Sequence, residues 1–187
     1  QMNWKDIEYL SSGNERQQKA YRILKHINIL TILNEYDPIL VGTIPIGIDI
    51  ANSDLDIICN VKDFDQFGQL ISKNFSSCNS FSEYYTNDAY IVSFSYSNTE
   101  IEIYAINKPT LLQNGYRHMI IEYSILNIAG NEFREEIIKL KEQGYKTEPA
   151  FGKLLNLEKP YTDLLKLEKL SDNELLSFLR LNSHLVR

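Results

Sequence analysis

The sequence predicts an α+β protein: a small mixed β-sheet flanked by helices, followed by a helical C-terminal half. Three observations predict it. Short apolar runs rich in β-branched residues cluster between positions 39 and 106. The run Tyr90–Ile106 alternates apolar and polar residues, the period of a half-buried strand. From Pro109 onward, apolar residues recur at helical spacing between glycine stops. With 187 residues, 43% hydrophobic and 24% charged, the chain can bury a core of ordinary size. The expected division is an α/β core over 1–108 and a helical region over 109–187 packed on it.

Residues 3–12 suggest a short helix with Trp4, Ile7 and Leu10 on one face and Gly13 as its stop. Asn14 and Gln17 have the spacing of a capping box. Ala20, Ile23, Leu24, Ile27 and Leu30 then follow at helical spacing, and the pattern should end before Asp37-Pro38. Ile39–Val41 reads as a short buried strand closed by Gly42, 44–53 as a loop, and Ser53–Cys59 as a second strand. Asp63 can cap a helix carrying Phe64, Phe67, Leu70 and Ile71. A further strand is expected near Phe81–Tyr85. Tyr90–Ile106 reads as a hairpin turning at Asn98-Thr99. Beyond it, "YRHMIIEYSILNIA" ends at Gly130 and "NEFREEIIKLKEQ" at Gly144. A third segment starts near Thr147, and Ser171 with Glu174 caps the last helix, "NELLSFLRLNSHLVR".

Composition narrows the function classes. The formal net charge is −6, which argues against a broad polyanion-binding surface and so against a long nucleic-acid partner. Two cysteines, Cys59 and Cys78, offer neither a disulfide framework nor a paired metal motif. No apolar run approaches the roughly 20 residues of a membrane span, and the start of the chain does not read as a signal peptide. The expectation is a cytoplasmic protein that engages no membrane.

The stretch "GTIPIGIDIANSDLDIIC" holds the most informative residues. Strand side chains alternate, so Asp54 and Asp56 share a face while Leu55, Ile57 and Cys59 take the other. Carboxylates about 7 Å apart on one ribbon repel unless solvated or bridged by a cation. A wet strand face would explain a lone Asp-x-Asp, but aspartate is depleted in strands. The hairpin offers a third carboxylate. Its polar face gathers Ser93, Ser95, Ser97, Glu100, Glu102 and Tyr104, and its apolar face Val92, Phe94, Tyr96, Ile101, Ile103 and Ala105. With the turn at Asn98-Thr99, Ser95 would pair with Glu102 and Ser93 with Tyr104.

Gly42-Thr43, ten residues, Asp54-Leu55-Asp56-Ile57 and a later Ile101-Glu102-Ile103 together resemble the nucleotidyltransferase superfamily, the DNA polymerase β-like fold. "YRHMIIEY" and "KTEPAFGKLLNLE" extend the likeness, more narrowly, to a bacterial family of unknown function within it. The resemblance implies that Asp54, Asp56 and Glu102, with Glu100 as the alternative third ligand, hold two Mg²⁺ ions. It implies that Gly42 and Thr43 approach the β- and γ-phosphates of an NTP donor. It implies transfer of a nucleoside monophosphate to a hydroxyl of a small molecule or protein.

The chain departs from the superfamily pattern in two places. Thr43 stands where serine is usual, which keeps the hydroxyl. The loop Ile44–Ser53 lacks the Arg or Lys that meets the triphosphate in many members, and adds Asp49. Arg117 and His118, at the start of a helix whose N–H groups favour anions, are the replacement candidates. Glu122, four residues on, could orient His118. His26 reads as structural, His184 as solvated, and Lys146 as a surface lysine. The alternative function is a non-catalytic member of the same fold that binds a nucleotide or a partner.

Overall fold

The computed structural model describes residues 2–187. Its chain divides into two compact units, one running up to Gly47 and resuming over Ser53–Tyr116, the other made of Ile48–Asn52 and Arg117–Arg187.

The first unit is built on α1 (Glu15–His26) and a five-stranded mixed sheet. Asn14 accepts from the Gln17 amide while the Gln17 side chain accepts from Asn14, the expected capping box. The expected helix over 3–12 is only a 3₁₀ turn, Glu8–Ser12, although Trp4, Ile7 and Leu10 are buried as anticipated. Nor does the apolar spacing keep one helix intact to residue 36. Asn28 takes a left-handed conformation (φ 56°) after α1, and a single further turn, α2 (Ile29–Ile32), follows.

The strands are β1 (Ile39–Val41), β2 (Leu55–Asn60), β3 (Asn79–Tyr85), β4 (Ala89–Tyr96) and β5 (Thr99–Ile106), in the order β1-β2-β5-β4-β3. β2 pairs antiparallel with β1 and parallel with β5. Between β2 and β3 lies α3 (Phe64–Phe75), capped by Asp63, which accepts from the Gln66 amide. Leu55, Ile57, Cys59, Val92, Phe94, Ile101, Ile103 and Ala105 all bury one face of the sheet. Phe75 stacks on Phe94 at 4.9 Å, and Phe67 meets Tyr90 edge-on at 5.7 Å.

The hairpin turn is Ser97-Asn98 rather than Asn98-Thr99. Both turn residues have positive φ, 50° and 58°, as a two-residue type I′ connection demands. Ser93 therefore faces Glu102, and Ser95 faces Glu100. The register moves by two positions, so every side chain keeps its expected face.

The second unit contains α4 (Asn114–Ala129) from Arg117 onward, α5 (Asn131–Glu142), α6 (Thr147–Leu155), α7 (Pro160–Lys166) and α8 (Asp172–Asn182). Phe133 packs on Phe151 at 5.8 Å, and Ile125, Ile137, Leu155, Leu164 and Leu179 of the same unit are buried. Pro160 opens α7, a helix that the sequence pattern left unseparated. Ser171 caps α8, which stops at Asn182 instead of running to the terminus. Among the described residues, no helix is long and apolar enough to cross a membrane.

Candidate active site

The carboxylates are placed by strand register. Asp56 is the second residue of β2, flanked by Val41 of β1 and by Glu102 of β5. Paired residues of neighbouring strands project to the same side, so Asp56 and Glu102 stand side by side on the face opposite the core. Ser93 and then Ser82 continue this row across β4 and β3. Asp54 lies one residue before β2, not inside a strand as expected, and is exposed, while Asp56 and Glu102 are half-buried. Glu100, on the next row, faces Ser95.

Electrostatics link these groups. Burial raises the Glu102 carboxyl above its ordinary range, and the charges of Asp54 and Glu100 add to the effect. This response marks Asp54 and Glu100 as close enough to be felt.

Gly42 follows β1 with φ 91°, a conformation side chains resist. A Cβ there would stand 2.9 Å from Asp56 Oδ2, so the glycine backbone lies directly against the carboxylate. Thr43 Oγ1 reaches Ser53 Oγ at 3.4 Å, tying together the two ends of the loop. Gln17 Nε2 donates to the Ile44 carbonyl at 2.9 Å. The first unit thus holds Gly42, Thr43, Asp54, Asp56 and Glu102 around the start of β2.

The donor chemistry suits a magnesium-type cation: hard carboxylate oxygens, adjacent by register, whose repulsion a cation would relieve. Among the described residues, no three His, Cys, Asp or Glu side chains close into a complete metal-ligand cluster. Asp56 and Glu102 are adjacent, and Asp54 acts on Glu102 through its charge.

Arg117 and His118 belong to the second unit and have partners there. Arg117 makes a two-nitrogen contact with the Glu168 carboxylate through Nε and Nη2. His118 Nε2 lies 2.7 Å from the Tyr161 carbonyl, and a carbonyl can only accept, so Nε2 carries the hydrogen. Its Nδ1 faces Glu148 Oε1 at 3.9 Å. The imidazole is oriented by Tyr161, then, rather than by Glu122 as the four-residue spacing suggested.

Sequence reasoning missed the setting of Glu122. It is buried, and burial, then the charge and hydrogen bond of Glu148, raise its carboxyl well above the ordinary range, with Lys141 opposing. The buried Lys141 donates to the Ile48 carbonyl at 3.0 Å. Two conspicuous motifs, "YRHMIIEY" and "KTEPAF", thereby meet in one polar cluster of the second unit. The Glu inside "KTEPAF" was the available signal.

Comparison with solved structures identifies the fold as that of nucleotidyltransferases. Cid1, an RNA terminal uridylyl transferase, is similar with a TM-score of 0.54 and 12% identity over 80% of this chain and 45% of Cid1. Cid1 holding magnesium and 3′-dATP gives 0.56 and 11% identity over 81% and 48%. GLD-2 in its complex with RNP-8 gives 0.55 and 14% identity over 92% of this chain and 80% of that one. The chain spans about half the length of the Cid1 structures it matches. No curated protein matches it in sequence. A family model described as a domain of unknown function (DUF4269) matches residues 22–167.

Proposed function

We propose, for a chain that belongs to the DUF4269 family of domains, a metal-dependent transfer of a nucleoside monophosphate from an NTP to a hydroxyl of a small molecule or protein. One observation carries this reading: within a nucleotidyltransferase fold, the β2–β5 register sets Asp56 beside Glu102, with Gly42 against Asp56.

Asp54, Asp56 and Glu102 would hold two Mg²⁺ ions. Bound there, the ions would supply positive charge to the donor phosphates and raise the acidity of the acceptor hydroxyl. Gly42 keeps its backbone free of a side chain, so its N–H can approach a phosphate oxygen. Thr43 adds a hydroxyl donor at the same turn. Ser53, the Thr43 partner, holds the turn against the entry of β2. Arg117 and His118 have the partners described above and are not part of this assignment.

The test is a transfer assay with labelled NTPs and Mg²⁺, run over pools of small molecules and protein acceptors. The wild-type chain should yield a labelled product and pyrophosphate. The Asp54→Asn/Asp56→Asn variant, altered only at an exposed and a half-buried position, should fold and yield none. Equal transfer by the variant would remove the carboxylates from the mechanism.

A further inference from the structure

The geometry points to a second ligand site in the first unit, a nucleotide-phosphate site formed by α1 and the β4–β5 turn, where Lys19 and Arg22 take the phosphate and the Tyr96–His26 ring pair takes the base. It does not rest on the transfer reading.

A hollow of about 390 Å³ is lined by Lys19, Arg22, Ile23, His26, Tyr96 and Ser97. That volume is within the range that holds small organic ligands. Residues 19, 22 and 26 share one face of α1 by helical spacing. Of the basic side chains on this helix, Lys25 is neutralised by Glu8 at 2.9 Å. Lys19 and Arg22 have no carboxylate at ion-pairing distance among the described residues. Two unneutralised cations at one hollow are conspicuous on a chain of net charge −6. A net negative charge excludes a broad polyanion surface, but not a local one.

The hollow also has an aromatic wall. The His26 and Tyr96 rings lie 5.8 Å apart and tilted by 30°. His26 is exposed, contrary to its expected structural role. An exposed imidazole and a half-buried tyrosine ring beside cations suit a planar base carrying a phosphate, because stacking and charge then act on the two ends of one ligand. Ser97, held in the type I′ turn, adds a hydroxyl at the rim. Simple anions would use the cations alone, so the rings select a nucleotide, either free or at the end of a strand.

Binding to the intact chain is measured by calorimetry with inorganic phosphate, a nucleoside monophosphate and a short single-stranded oligoribonucleotide. The monophosphate should bind at least tenfold more tightly than phosphate. Lys19→Ala/Arg22→Ala should weaken it at least tenfold, and Tyr96→Leu should bring it down to the affinity of phosphate. Asp54→Asn/Asp56→Asn should leave it unchanged, which separates this site from the carboxylate site. An oligoribonucleotide that binds more tightly than the monophosphate, with affinity falling steeply with salt, upholds the site as a strand site. Equal affinities uphold it as a free-nucleotide site. Absence of binding by every probe overturns the inference, as does binding that survives Lys19→Ala/Arg22→Ala or disappears in Asp54→Asn/Asp56→Asn. Alanine is a good helix former, so circular dichroism should show Lys19→Ala/Arg22→Ala folded, and the same spectrum is required of Tyr96→Leu, whose ring is half-buried against the core.

Discussion

Replacing Gly42 by alanine separates two costs that the structure places at one residue. The first is conformational. A φ of 91° is sparsely populated for a residue with a side chain, and holding it costs about 1–3 kcal/mol. For a chain of this length each kcal/mol moves the melting temperature by about 2–4 °C, so a drop of about 2–12 °C is expected. The second is local. The new methyl would stand 2.9 Å from Asp56 Oδ2, against about 3.5–4.0 Å for relaxed contact. The carboxylate must rotate away, which spoils its position beside Glu102. A double-mutant cycle with Asp56→Ala isolates this part. Gly42→Ala should cost less in the Asp56→Ala background, leaving only the backbone strain. Thermal melts of the four proteins and Mn²⁺ titration of Gly42→Ala against wild type give both quantities. An alanine variant that melts within about 1 °C of wild type, or that costs the same in both backgrounds, would refute the reasoning.

Glu122→Gln should make stability less dependent on pH. The folded chain keeps a proton on Glu122 that the unfolded chain releases above about pH 4.3, so stability from this group is present in acid and is lost as pH rises toward the folded value. Relative to wild type, the variant's melting temperature should therefore rise as pH increases above about 4.3 toward the folded value; a constant difference contradicts the assignment. Ser97→Asn combined with Asn98→Gly supplies the preferred residues for two positive φ values and should raise the denaturant midpoint, the relief of two left-handed positions outweighing the extra freedom that glycine gives the unfolded chain; a lowered midpoint would mean the turn is misplaced.

Much of the fold is legible because its local signals agree with its tertiary packing. The Asn14–Gln17 box, the Asp63 and Ser171 caps and the alternation along β4 and β5 each state one local preference that the fold keeps. The pairing of Asp56 with Glu102 was legible only as a pattern, since sequence gives the face of a strand but not its neighbour. Turn position was misread because Asn98-Thr99 looks like a turn, while the twist of the hairpin is met by two left-handed residues at Ser97-Asn98. The helix over 14–36 was overextended because apolar spacing persists through Asn28, where the backbone turns left-handed. Partners distant in sequence stayed invisible: Glu168 for Arg117, Tyr161 for His118 and Glu148 for Glu122 lie 26 to 51 residues away.

The most direct test of the central claim, that Asp54, Asp56 and Glu102 form one cation-dependent phosphate site, is calorimetric titration of Mn²⁺ in the absence and presence of a non-hydrolysable ATP analogue. Each ligand should tighten the other about tenfold or more in the wild-type chain, and Asp54→Asn/Asp56→Asn should abolish that coupling. Independent binding of the two ligands, or coupling that survives in the variant, would contradict it.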